Sequence, residues 1–222
     1  MADYLFIHGA GLDHRFWQPL QHYFPKARMI DLRGHGDNHQ PSDKTISNMA
    51  HHLLADHAIT EDTVVIGHSM GALIALEIAA EKNINRLILM GAGLQMPVHP
   101  DLLAMAQKNP REAAALILKW GCMPDAIEAR TALALIMQDN QATLYADLSA
   151  CNLYQDAAEK AAQVKCADIT LLSGAHDKMV KEDQTKALSI RFDYARVKLL
   201  SGLGHMMVHE NPEEVAKSIL KP

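Results

Sequence analysis

Short apolar runs alternate with longer segments of helical periodicity along most of the chain. The runs cover 4–7, 27–31, 63–66, 86–90, 168–172 and 196–200, and five of the six end at His8-Gly9, Gly67, Gly91, Ser173-Gly174 and Ser201-Gly202. Most are apolar throughout rather than alternating, as expected of strands covered on both faces of a parallel sheet. The intervening periodicity predicts helices over about 14–24, 46–58, 70–82, 180–190 and 212–220. In 46–58, Ile46, Met49, Ala50, Leu53 and Leu54 recur at helical spacing. Asn211-Pro212-Glu213-Glu214 reads as a helix start, with proline early and acids in the first turn. The alternation predicts an α/β fold, with about six strands in a mostly parallel sheet and helices on both faces.

One stretch breaks this rhythm. Residues 93–165 carry no strand pattern and read as helices around 100–108, 110–119, 124–138, 140–151 and 154–163, bounded by Pro97, Pro100, Pro110, Gly121, Pro124 and Asn140. A helical insertion after the fourth strand would cover the ends of the sheet. The expected division is a core of 1–92 and 166–222 with a helical cap of 93–165.

Composition narrows the class. The chain has 222 residues, enough for one large domain or one domain with an insertion. Net charge is −5 with no cluster of Lys and Arg, and aromatic content is 5%, both of which argue against nucleic-acid binding. Met1-Ala2-Asp3-Tyr4 has no basic segment ahead of its apolar run, so no signal peptide is expected. No apolar stretch approaches the roughly 20 residues of a membrane span, and Glu77 interrupts the longest candidate, 72–80. Cys122, Cys151 and Cys166 are too few and too scattered for a disulfide framework or a zinc site. The expectation is a reduced, cytoplasmic protein with no membrane partner.

Ligands in open α/β sheets bind beyond the C-terminal ends of the strands. The third run passes through Gly67-His68-Ser69-Met70-Gly71 directly into a helix. That is the G-x-S-x-G arrangement, in which a strained strand-to-helix turn lifts a serine hydroxyl clear of the sheet. The bland alternative is a glycine-rich turn with an incidental serine. A serine nucleophile needs a base, and His205 follows the sixth run in Gly202-Leu203-Gly204-His205. His209 is the nearest competitor, while His22, His39, His51, His52 and His57 sit in helical or loop surroundings. The base needs an orienting carboxylate, and Asp177 follows the fifth run, with Asp168 and Asp183 as alternatives. The order Ser69, Asp177, His205 suits an α/β-hydrolase architecture. Two backbone N–H groups should bind the oxyanion, one from Met70 and one from the loop after the first run, where Ala10 is the choice. Gly9-Ala10-Gly11 and Gly91-Ala92-Gly93 could open dinucleotide loops, but His14 and Met96 stand where the third glycine belongs. No cofactor or metal is expected.

Four landmarks in order resemble the α/β-hydrolase superfamily: His8-Gly9-Ala10-Gly11, Asp31-Leu32-Arg33-Gly34-His35-Gly36, Gly67-His68-Ser69-Met70-Gly71, and Asp177 followed by Gly204-His205. Within it the chain is similar to short microbial carboxylesterases, including the type that cleaves the pimeloyl carrier-protein methyl ester. The resemblance implies that 31–36 is a structural loop near the pocket. Relatives usually begin with a β-hairpin before the His-Gly strand, so the first two family strands are expected to be missing. Asp37 stands where relatives often carry a small serine.

The cap offers apolar candidates for an acyl pocket in Leu94, Met96, Leu102, Leu103, Met105, Trp120, Cys122, Met123 and Met137, with Leu12 and Met70 beside the oxyanion loops. No basic cluster in the cap specifies a phosphate or carboxylate. The expected activity is serine-dependent cleavage of a small-molecule carboxylic ester with a small to medium apolar acyl group. A carrier-protein-bound substrate is compatible with this, but nothing in the residues indicates one. The same triad could serve C–C bond hydrolysis, a lyase, a lactonase or a cofactor-free perhydrolase, and a binding protein that kept the fold is a further alternative.

Overall fold

The structure is a computed structural model whose described residues are 3–220. The expectation placed on Met1 and Ala2 lies outside that range. Six strands, β1 (Asp3–Ile7), β2 (Arg28–Ile30), β3 (Thr63–His68), β4 (Arg86–Met90), β5 (Asp168–Gly174) and β6 (Arg196–Leu200), form one sheet in the order β2-β1-β3-β4-β5-β6. Every neighbouring pair is parallel, as the uniformly apolar runs predict.

Side chains alternate between two cores. Phe6, Ile66, Ile88, Met90 and Leu172 point to one face, and Leu5, Ile7, Val65, Leu87, Leu89 and Leu171 to the other. The second face is covered by α1 (Ile46–Asp56), α2 (Met70–Glu81) and α8 (Glu182–Ser189). The first is covered by a 3-10 helix (His14–Leu20) and α10 (Pro212–Leu220). The predicted helix over 14–24 is this shorter 3-10 segment, with Pro19 inside it. A single turn, α9 (Met207–Glu210), precedes α10. β6 departs from the all-apolar pattern: Arg196 to Leu199 are exposed, which marks it as a sheet edge.

Between β4 and β5 lie α3 (Pro100–Lys108), α4 (Pro110–Gly121), α5 (Ile127–Asp139), α6 (Leu144–Leu153) and α7 (Ala157–Gln163). Pro100 and Pro110 occupy first helical turns, where a missing N–H costs nothing. Asn140 does not start a helix. Its Nδ2–H donates to Asp13 Oδ2 at 2.7 Å and its Oδ1 accepts the Gly36 N–H at 3.0 Å, tying the insertion to the loops after β1 and β2. Among the described residues, no helix is long and apolar enough to cross a membrane.

The register aligns the strand ends. Ile7 faces Gly67, His68 faces Met90, Met90 faces Leu172 and Gly174 faces Leu200. The loops that follow therefore emerge along one edge, and the sheet order reverses at β1 and β3, where such sheets open a binding crevice.

Candidate active site

Ser69 sits between β3 and α2 with φ 54° and ψ −118°, and is the sole non-glycine residue with positive φ among the described residues. Such a conformation costs on the order of 1–3 kcal/mol and persists only where its surroundings enforce it. Here the turn is enforced by close backbone approach. A Cβ on Gly67 would lie 2.1 Å from the Gly71 carbonyl oxygen, and one on Gly71 would lie 2.3 Å from the Ile7 carbonyl oxygen. The Ser69 N–H donates to Met90 C=O at 2.8 Å. Behind it, Met70 to Ala79 of α2 are all buried, so the turn stands on a fixed support.

His205 and Asp177 arrive on the loops after β6 and β5. The His205 Nδ1–H donates to Asp177 Oδ2 at 2.7 Å, and both side chains are buried. A carboxylate only accepts, so Nδ1 carries the hydrogen in this bond. Asp177 Oδ1 accepts the N–H groups of Met179 and Val180, each at 2.8 Å. Burial works to raise the Asp177 carboxyl. The His205 charge and hydrogen bond, with those two N–H donors, outweigh burial and hold it below the usual carboxylate value.

His68 supports the histidine loop from the elbow itself. Its Nε2–H donates to His205 C=O at 2.9 Å. Burial, reinforced by the charge of His205, pushes His68 down to about 3, so it stays neutral. A Cβ on Gly91 would come within 2.9 Å of His205 Cε1; this explains the glycine after β4. No hydrogen bond joins the Ser69 hydroxyl to His205 among the described residues. In sites of this kind that contact often tightens only when substrate is bound.

The loop after β1 runs close to Ser69: a Cβ on Gly9 would lie 3.2 Å from Ser69 Cβ. The loop turns through Gly11, at φ +64°, with the Leu12 N–H donating to Gly9 C=O at 3.2 Å. Neither Ala10 nor Met70 donates its backbone N–H to another group among the described residues.

Ser69, His205, Gly9, Ala10, Leu12 and His68 open onto one cavity of about 70 Å³. Its other walls are Met96, Pro97 and Val98 after β4, Ile117 on α4, Leu148 and Cys151 on α6, and Met179, Val180 and Met206 beside Asp177 and His205. Of the sequence candidates, Leu12 and Met96 line it. Leu94, Met105, Trp120 and Met123 do not. Met105 packs into the apolar cluster on one face of the sheet, and Leu94 joins the cluster on the other. Trp120 is 38% exposed. The Met70 side chain is buried in the α1–α2 core, so only its backbone faces the site. Met179, Val180 and Met206 could have been read from the sequence, since each is within three residues of Asp177 or His205.

The competing residues are otherwise engaged. His209 Nε2–H donates to Phe16 C=O at 3.0 Å, Asp168 pairs with Arg86 and Arg196, and Asp183 accepts from the Gln184 N–H. Asp13, His14 and Asp31 are the one group among the described residues whose donor atoms converge as metal ligands would. Asp31 already accepts from the backbone and ring of His14 and from the Asp37 N–H, and Asp13 from Arg15 and Asn140. That group is a lock between loops.

Comparison with known proteins agrees with this architecture. A pimeloyl-[acyl-carrier protein] methyl ester esterase of Aromatoleum aromaticum is 26% identical over 96% of this chain and 95% of its own length. An enol-lactonase from Burkholderia xenovorans superposes with a TM-score of 0.85 at 21% identity, covering 99% of this chain and 90% of that one. A thermophilic esterase from Thermogutta terrifontis superposes with a TM-score of 0.81 at 20% identity, covering 100% of this chain and 89% of that one. The profile of the alpha/beta hydrolase family matches residues 4–218, and the chain is an enzyme of that family.

Proposed function

We propose that the protein is a serine esterase in which Ser69 is the nucleophile, His205 the general base and acid, and Asp177 the residue that orients the imidazole. The observation that carries this reading is the buried His205–Asp177 hydrogen bond beside the one strained serine. His205 Nε2 takes the Ser69 proton as Oγ attacks the ester carbonyl. The Ala10 and Met70 N–H groups bind the oxyanion, with the N-terminus of α2 adding its dipole. The protonated imidazole then gives its proton to the leaving alkoxide. Water repeats the sequence on the acyl-enzyme.

In this reading the helical segment 93–165 is a cap, since Met96, Ile117, Leu148 and Cys151 wall the cavity. Among the lining residues none carries a fixed charge, so the acyl group is apolar. The confined, apolar lining points to a small to medium acyl group. A lactone of that size is an ester and would follow the same steps.

The test is reaction with a fluorophosphonate, read as intact mass. One adduct on the wild type that vanishes in Ser69→Ala supports the reading. No adduct on the wild type overturns it.

A further inference from the structure

Asp147 is fully buried on α6, inside the helical insertion, yet its hydrogen bonds reach the sheet domain. Its Oδ2 accepts the Gly11 N–H at 2.8 Å and lies 2.9 Å from His35 Nε2. Gly11 directly follows Ala10 in the loop after β1. The same loop is pressed against the insertion: a Cβ on Gly11 would lie 2.8 Å from Leu144 Cδ1 and 3.2 Å from Met137 Cε. One residue beyond Asp147, Leu148 forms part of the cavity wall.

The partner on the other side is charged. His35 Nδ1 lies 3.1 Å from Arg33 C=O, and Nε2 faces the Asp147 carboxylate. Both of these groups accept, so both ring nitrogens carry hydrogen and His35 is an imidazolium. Burial works to lower His35, but the Asp147 charge and hydrogen bond outweigh it and leave His35 above its ordinary value. Further titratable groups face the pair, among them the buried Cys151 thiol one turn along α6, which the Asp147 charge helps to push up. His8, its ring centroid 4.9 Å from that of His35, is pushed to about 4 by burial and by the His35 charge. Asp31, at the end of β2, adds negative charge. A buried ion pair is a poor source of net stability. This one fixes a backbone position beside the site.

We propose that Asp147 is a positioning residue for oxyanion binding: by holding the Gly11 N–H, with His35 as its charge partner, it keeps the preceding Ala10 N–H directed at the space beside Ser69. This rests on the reading of Ser69 as nucleophile and Ala10 as oxyanion donor. Asp147 acts on the transition state through the loop and touches no substrate.

The experiment compares wild type, Asp147→Asn, His35→Gln and the double variant. Active sites are titrated with a fluorophosphonate, so that only folded, reactive enzyme is counted. Rates are measured with p-nitrophenyl acetate, and inhibition with an aryl trifluoromethyl ketone, whose serine adduct carries an oxyanion. Loss of a whole oxyanion donor costs about 10²–10³ in kcat, and misplacement of one should cost less. Asp147→Asn should therefore lower kcat per titrated site about 10- to 100-fold, with KM within about threefold. It should weaken the ketone by the same factor. His35→Gln should act in the same direction, and the double variant should lose little more than Asp147→Asn alone. His35→Gln carries the test by itself if Asp147→Asn does not fold. A kcat per titrated site within twofold of wild type, or unchanged ketone binding, would overturn the proposal while the nucleophile reading stands. A wild type with no titratable serine would overturn both.

Discussion

The hydrogen bond from His205 Nδ1 to Asp177 Oδ2 is 2.7 Å long and shielded from water at both ends. It fixes which imidazole nitrogen is free. In Asp177→Asn, an amide N–H₂ can face Nδ1, which favours the tautomer that places the hydrogen on Nε2. That nitrogen then cannot take the serine proton, and kcat should fall by about 10⁴. Ester hydrolysis by the purified variant checks this, and a loss under tenfold would assign the orienting role elsewhere. The same carboxyl also contributes to acid stability. Its folded-state pKa lies below the ordinary 3.8, so its contribution is present above that value and is lost as pH falls through the lower folded one. The stability of Asp177→Asn should fall less steeply than that of wild type below about pH 4, as urea unfolding at several pH values would show.

Ser69 sets function against stability. At φ 54° the serine pays for its exposed hydroxyl with backbone strain, which glycine does not suffer. Ser69→Gly should abolish turnover, by about 10⁶-fold if Ser69 is the nucleophile. It should also raise stability by about 1 kcal/mol, after the extra chain entropy of glycine is deducted. A thermal or urea unfolding series on wild type, Ser69→Ala and Ser69→Gly separates the two effects. A glycine variant less stable than the alanine variant would mean that the turn is not strained.

Glu210 joins the histidine loop to the insertion. Its carboxylate accepts the Gly204 N–H at 2.5 Å and the Met123 N–H at 2.9 Å. Burial nevertheless leaves it above the ordinary glutamate value of 4.5. A folded-state pKa raised in this way makes the folded protein hold its proton more tightly. Wild-type stability from this group therefore declines as pH rises from 4.5 toward the raised value. Glu210→Gln should remove that decline. It should also cost about 1–3 kcal/mol, because an amide cannot accept both N–H groups through two oxygens. Unfolding of both proteins between pH 4 and 7 tests both effects.

The fold and the three proposed catalytic residues were legible because their signals are local. Five of the six apolar runs end at small residues, and Gly67, Ser69 and Gly71 sit at the junction of a run and a helix. The positions of Asp177 and His205 follow from counting strand ends. The cavity wall was not legible, because the face an inserted helix turns to the site depends on how α3 to α7 pack together. Trp120 is apolar yet exposed, whereas Leu148 and Cys151, at i and i+3 on α6, line the cavity. Asp147 gave no local sign either, since its partners Gly11 and His35 lie 136 and 112 residues away. The exposed face of β6 is likewise a matter of position: nothing pairs beyond it in the sheet order.

Acyl length follows from the cavity wall. With apolar walls and no charged side chain in the lining, esters from p-nitrophenyl acetate to hexanoate should be the best of a straight-chain series. Each methylene beyond the fit should cost about 10-fold or more in kcat/KM. Ile117 is 3% exposed and belongs to that wall. Ile117→Ala removes three carbons from it and should move the optimum up by about two or three methylenes. The truncation should also destabilise the insertion by about 2–5 kcal/mol, so the series is best run well below the unfolding temperature of the variant. If wild type hydrolyses the octanoate as fast as the butyrate, the cavity does not set the limit. If only the variant accepts the longer chain, α4 is where acyl length is read.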